Sequence, residues 1–136
     1  MKSIAVPATE EDPGPVTDFV IGELEQYDCS SKALYQLEVS IEEIVVNIVR
    51  YSGLSADDTF EVRCGTLEDP LRAVVQFLDG GIPFDPLAMK DPDTSPEALA
   101  DRVGGLGIFM VKNMMDDVSS VYEDGTNKLT LVKNRQ

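Results

Sequence analysis

An α+β fold, a two-layer sandwich whose mostly antiparallel mixed sheet carries helices on one face, is the architecture this sequence predicts. Three observations carry the prediction. Apolar residues recur at three- and four-residue steps through Leu34, Leu37, Ile41, Ile44 and Ile48, the period of a buried helix face. From Thr59 onward, Phe60, Val62 and Cys64 alternate with Glu61 and Arg63, the period of a half-buried strand. The segment order β-α-α-β-β-loop-α-β-β suits a layered sandwich.

The elements follow in chain order. Residues 4–8 read as a short strand. Asp12-Pro13 marks a helix start, with an Asp cap and a Pro in the first turn. Val16, Phe19, Val20, Leu24 and Tyr27 give that helix its apolar face, and it ends near Asp28. Ser30 or Ser31 caps the next helix, over about 32–51. Its centre, Ile44-Val45-Val46, is β-branched, but its length and the polar spacing Glu43, Asn47, Arg50 decide for helix. Ser52-Gly53 ends it. Strands are expected over 59–67 and 72–78, joined by the turn Glu68-Asp69-Pro70. The second strand is the more continuously apolar, as expected near a sheet centre. Residues 82–103 hold four prolines and read as a long loop, with one helical turn near 96–101. Loops this long in compact domains are usually functional lids or disordered. A helix over 107–115 and strands over 118–122 and 128–133 complete the chain. Asp124-Gly125 between those strands is a hairpin signal. Residues 1–136 read as one domain, without repeats or low-complexity segments.

Composition narrows the function classes. With 43% apolar and 26% charged residues the chain is ordinary for a soluble globular domain. The formal charge of −14 argues against nucleic acid, whose affinity rests on Lys and Arg neutralising phosphates. It argues equally against an anionic membrane surface, and no stretch approaches membrane-spanning length. A basic or neutral protein partner fits better. Cys29 and Cys64 lie far apart in sequence and form no metal-type pair, so a reduced, cytoplasmic chain is expected. The chain has no histidine, which excludes a Ser-His-Asp triad and a histidine base. Proton transfer must use Asp, Glu, Lys, Tyr or Cys.

Three stretches carry chemistry as a set. Glu43-Ile-Val-Val-Asn47 puts a carboxylate and an amide one turn apart on a helix that is nearly apolar all round. Polar groups in such a surface are paired, solvated in a cleft or metal-bound. An amide oxygen suits Mg²⁺, and a nearby Glu can deprotonate a hydroxyl. Asp79-Gly80-Gly81-Ile-Pro-Phe84-Asp85 sets a lone acceptor beside glycines at a strand end, where backbone approaches a ligand closely. Gly104-Gly105-Leu106-Gly107-Ile-Phe109 is a glycine-rich entry into a helix, where backbone N–H groups and the helix dipole favour phosphate. It is neither a P-loop nor a dinucleotide fingerprint. Arg102 and Lys112 are cations near it. Singly, each stretch also suits a plainer role: a helix edge facing water, an Asp-Gly turn, a lid hinge. Asp85 equally suits a turn or cap.

The ordered set resembles the ATP-binding (Bergerat, GHKL) domain shared by gyrase, Hsp90, histidine kinases and MutL. Glu43-x-x-x-Asn47 looks like its N-box, Asp79-x-Gly81 like its first glycine box and Gly105-x-Gly107 like its second. Gly104-Gly-Leu-Gly-Ile-Phe109 with Val111-Lys112, then Met115-Asp-Asp-Val118 and Asn127-Lys-Leu-Thr130, narrows the resemblance to the bacterial anti-sigma-factor serine/threonine-protein kinases. The match covers almost the whole chain. The resemblance implies a cytoplasmic kinase that uses ATP and Mg²⁺ to phosphorylate a serine or threonine on a STAS-type anti-sigma-factor antagonist, in a partner-switching pathway. A sigma factor or a PP2C-type phosphatase are further partners it implies, and such proteins resemble homodimers. The other function it allows is a non-catalytic, ATP-gated protein-binding module. By the same resemblance Glu43 is the base, Asn47 binds Mg²⁺, and Asp79 accepts from the adenine amine. Gly81 lets the base sit close, Gly104, Gly105, Leu106 and Gly107 hold phosphates, and Arg102 contacts the γ-phosphate. Thr130 lies near adenine, and the ATP lid spans about 87–103. One departure is Tyr51, where many relatives have His. It is expected to tune packing rather than chemistry, and Glu42 lacks the four-residue step that singles out Glu43.

Overall fold

The computed structural model describes residues 1–9, 12–88 and 107–136. Among these, five strands form one sheet in the order β1-β2-β3-β5-β4, and three α-helices pack on it. The elements are β1 (Lys2–Pro7), α1 (Gly14–Leu24), α2 (Ser31–Tyr51), β2 (Thr59–Leu67), β3 (Arg72–Asp79), α3 (Gly107–Met114), β4 (Asp117–Glu123) and β5 (Thr126–Asn134). Short 3₁₀ turns occupy Glu25–Tyr27 and Pro86–Ala88. The sheet is expected to be mixed and mostly antiparallel; every ladder among the described residues is antiparallel.

Local chemistry accounts for the boundaries. The α1 helix starts at Gly14, and the Asp12 carboxylate accepts from its N–H at 2.9 Å. Of the two serines expected to cap α2, Ser30 does so, accepting from Ala33 N–H at 3.0 Å. The helix stops where Gly53 takes φ +75°, a left-handed conformation open to glycine at little cost. Asp124 and Gly125, with φ of 54° and 76°, make the tight hairpin between β4 and β5.

The core is a single layer between the helices and one sheet face. From α2 it takes Leu37, Ile41, Ile44, Val45 and Ile48; from β2, Phe60, Val62 and Cys64; from β3, Ala73, Val75 and Phe77. The strand residues alternate in sequence, so the same sheet face meets every helix. On the other face Val74 and Val132 form a buried cross-strand pair outside that cluster.

The C-terminal end of α3 is tied to the sheet. Buried Lys133 donates from Nζ to Met114 O at 3.0 Å and stands 3.5 Å from an Asp116 carboxylate oxygen. Asp116 N–H donates to Val132 O, and its carboxylate accepts from Asn134 N–H at 2.6 Å. Lys133 thus supplies a charge-assisted bond to a helix-end carbonyl that the helix cannot satisfy itself. Lys133→Met should cost about 1–3 kcal/mol, because that part-buried carbonyl loses its donor. A urea melt reads this as a lower midpoint with an unchanged slope.

Candidate functional site

The cavity lies at one end of the sandwich, where α2 finishes, β3 ends and β5 begins. Asp79 is the last residue of β3 and pairs across the ladder with Asn127. Its Oδ1 accepts from Gly81 N–H at 3.0 Å, which folds Gly80-Gly81 into a tight turn. The next residue, Ile82, donates its N–H to Ser52 O at 2.9 Å, docking the turn on the end of α2. Gly81 is required by proximity. A Cβ there would collide with the Ser52 carbonyl oxygen and stand 2.9 Å from Asp79 Oδ1. Asp85 resolves as a cap, accepting from Leu87 N–H at 2.9 Å at the Pro86–Ala88 turn.

These elements line an open pocket at this end of the sandwich. Ile44, Ile48, Phe77, Ile82, Ile108 and Leu129 give it apolar walls. Asn47, Ser52, Asp79, Ser120 and Asn127 place polar groups among them. Such a cavity suits a flat ring bearing a hydrogen-bond donor toward Asp79.

The helix α2 supplies the other half of the site. Glu42 is exposed, whereas Glu43 is half-buried and turned toward α3. A Cβ on Gly107, the first residue of α3, would collide with the Glu43 carboxylate. The carboxylate therefore stands at the start of α3, and Asn47, one turn on, lines the cavity. Tyr51 is exposed and is not among the cavity walls. Among the described residues no cluster of three or more His, Cys, Asp or Glu gathers to hold a metal. A cation bound here through the Asn47 amide would take the rest of its coordination from ligand phosphates and water, a habit of Mg²⁺.

The structure thus brings Glu43, Asn47, Asp79, Gly81 and Gly107 to one end of the fold. Thr130 goes elsewhere. It pairs with Gln76, whose amide donates to Thr130 Oγ1 at 3.4 Å, on the sheet face opposite the helices. Side chains along a strand alternate, so Asn127 and Leu129 face the cavity and Thr130 does not. The resemblance points to β5, and along that strand Asn127 and Leu129, not Thr130, line the cavity. Arg102, Gly104, Gly105 and Leu106 lie outside the described residues, as does all but the start of the expected lid over 87–103.

Asn127 is the site residue that the sequence reading named only as part of a motif. Its Nδ2 donates to Asp79 Oδ1 at 3.2 Å and to Ile82 O at 2.8 Å, and its Oδ1 accepts from Phe84 N–H at 3.1 Å. The signal was present. Counting back by two from Leu131 and Leu129 puts an amide on the core face of β5. The cysteines stand aside from this chemistry. Both are free thiols, and burial pushes Cys64 up to about 12, reinforced by Glu23 and Cys29. Burial also raises Cys29, against the attraction of Arg135. Neither is a thiolate nucleophile near neutral pH.

The pattern of the histidine kinase-like ATPase domain matches residues 6–133. The serine-protein kinase RsbW of Listeria monocytogenes serotype 4a is 30% identical over 104 residues, spanning 72% of this chain and 64% of the relative. The protein of the same name from Listeria innocua serovar 6a is 29% identical over 104 residues. This chain therefore spans somewhat less than two thirds of the length of these relatives. The crystal structure of the RsbU and RsbW domains of Rv1364c from Mycobacterium tuberculosis superposes with a TM-score of 0.65 at 14% identity. That match covers 98% of this chain and 32% of the other, and shows the fold alone.

Proposed function

We propose, for a chain that belongs to the histidine kinase-like ATPase domain family, that it acts as an ATP-dependent anti-sigma regulatory kinase and that residues 1–136 form one ATPase domain. It would transfer the γ-phosphate of Mg-ATP to a serine or threonine of a STAS-type anti-sigma-factor antagonist. The observation that carries the reading is the meeting of the Glu43 carboxylate with Gly107 at the start of α3, one turn from Asn47 in the wall of the Asp79 cavity. The relatives named serine-protein kinases support it.

The roles follow from the chemistry of each group. Asp79 would accept from the exocyclic amine of adenine, with the ring between the apolar walls. The bare backbone at Gly81 would let that ring sit close to the turn. The α3 N-terminus, continued backward by Gly104, Gly105 and Leu106, would offer N–H groups to the phosphates, with Arg102 as a γ-phosphate contact. The Asn47 amide oxygen would hold Mg²⁺, which supplies charge neutralisation between phosphates when bound. The Glu43 carboxylate, set beside the phosphate-binding helix start, would accept the proton of the attacking hydroxyl. Phosphoryl transfer is mostly positioning and charge neutralisation, so this short list of groups suffices.

The net charge of −14 favours a basic or neutral protein surface as partner. A sigma factor or PP2C-type phosphatase would then bind in exchange with the antagonist, the kinase acting as a cytoplasmic homodimer. No helix among the described residues is long and apolar enough to cross a membrane.

Two measurements test the reading. Mg-ATP at about 100 times its Kd should raise stability by about 2.7 kcal/mol, read as a higher melting temperature. Labelled γ-phosphate should appear on a serine or threonine of a STAS protein encoded near the gene. No thermal shift would overturn the nucleotide site. A shift without transfer to any cognate antagonist would leave an ATP-gated binding module.

A further inference from the structure

Asp79 is fastened through one oxygen only. Its Oδ1 takes both hydrogen bonds, from Gly81 N–H at 3.0 Å and from Asn127 Nδ2 at 3.2 Å. No hydrogen bond reaches Oδ2 from the described residues. The carboxylate therefore presents a single oxygen to its ligand. An ionised carboxylate only accepts, so the site distinguishes a donor from an acceptor at that point.

The direction of that oxygen depends on Asn127. Asn127 is 8% exposed, and both ends of its amide are hydrogen-bonded. Its Oδ1 accepts from the Phe84 N–H, which can only donate. Its Nδ2 donates to the Ile82 carbonyl, which can only accept. These two neighbours fix which end of the amide is nitrogen, so Asn127 must turn an N–H, never an oxygen, toward Asp79. The same amide ties the turn over 79–84 to β5, a connection 48 residues long in sequence.

We infer that Asn127 is a positioning residue that aims the free oxygen of Asp79 and so sets the preference for a 6-amino over a 6-oxo purine. This deepens, and rests on, the nucleotide reading above. A purine with an amine at C6 gains a charge-assisted bond to Oδ2. A purine with a carbonyl there meets one acceptor with another and leaves both unsatisfied. Without Asn127, Oδ1 keeps only the Gly81 N–H as its anchor. The carboxylate can then turn away, and the discrimination falls with it.

The test is the affinity of the whole chain for ATP and for inosine triphosphate, which differ at C6 and in the hydrogen on the adjoining N1 and share every phosphate. Calorimetry would compare the wild type with Asn127→Ala and Asn127→Thr. The wild type should favour ATP by about tenfold or more, because a site built around a substrate N–H rejects an analogue lacking it. In Asn127→Ala the preference should fall to about threefold or less, mainly through weaker ATP binding. A merely structural role would lower both affinities in proportion and leave the ratio unchanged, which overturns the inference. If Asn127→Ala shows no melting transition, Asn127→Thr, which keeps a polar group at the same Cβ, is read by the same ratio. Wild-type protein that binds neither nucleotide overturns the nucleotide reading and this inference together. Wild-type preference for ATP that both variants retain overturns this inference alone.

Discussion

Glu43→Gln should lower phosphoryl transfer by about 10²–10⁴-fold, the usual contribution of a positioned general base, while Mg-ATP binding stays within about threefold of wild type. Gln keeps the length and shape of Glu, so the helix and its contact with Gly107 survive. In the proposed role, what disappears is the ability to take the proton of an attacking hydroxyl. Single-turnover transfer to a STAS antagonist, beside nucleotide affinity measured separately, splits the two effects. A variant with full transfer would remove Glu43 from the chemistry and leave it as a packing residue at α3. A variant that lost nucleotide affinity and transfer equally would make Glu43 part of the binding site.

Gly81→Ala should destabilise the protein by about 1–3 kcal/mol, the cost of forcing an extra group into a packed site, or roughly 4–12 °C in melting temperature for a domain of this size. It should also abolish nucleotide-dependent stabilisation. The added Cβ runs into the Ser52 carbonyl oxygen, which is backbone at the end of α2. Backbone cannot swing aside as a side chain can, so the turn must lift. Lifting it strains the Ile82–Ser52 hydrogen bond and the Gly81–Asp79 bond together. Gly107→Ala is the informative contrast. There the new Cβ meets the end of the Glu43 side chain, which can rotate away. Its stability cost should stay within about 1 kcal/mol, while transfer falls because the carboxylate has been displaced. Thermal melts with and without Mg-ATP separate the cases. Equal destabilisation of both variants would mean that Glu43 is held as rigidly as backbone.

Much of the architecture was legible because its signals are local. The three- and four-residue recurrence along α2 and the alternation along β2 are consequences of helix and strand geometry, and they survive in any tertiary context. Ser30, Gly53 and Asp124-Gly125 act within a few residues of themselves, so their roles could be read in place. The choice of Glu43 over Glu42 also followed from spacing. Only Glu43 shares a helix face with Asn47, and Glu42 is exposed.

Less legible was anything that depends on how distant segments meet. Thr130 and Asn127 both sit in the last strand, and a resemblance pointed to the strand without its phase. The antiparallel register that pairs Asp79 with Asn127 decided which of the two faces the cavity, since a shift of one residue exchanges the faces of a strand. The contact of Glu43 with Gly107 likewise joins two helices far apart in the chain.

The sequence by itself determined the helices, the strands, the turn chemistry and the set of groups available for catalysis, with histidine excluded from the start. Tertiary structure alone decided which of those groups share a cavity, that Asn127 rather than Thr130 supports Asp79, and that Gly81 is demanded by a neighbouring carbonyl rather than by its own torsion angles. The physical reason is the reach of each constraint. Propensity and periodicity act over a few residues, whereas register and close packing are fixed only when the whole sheet and its helices have been assembled.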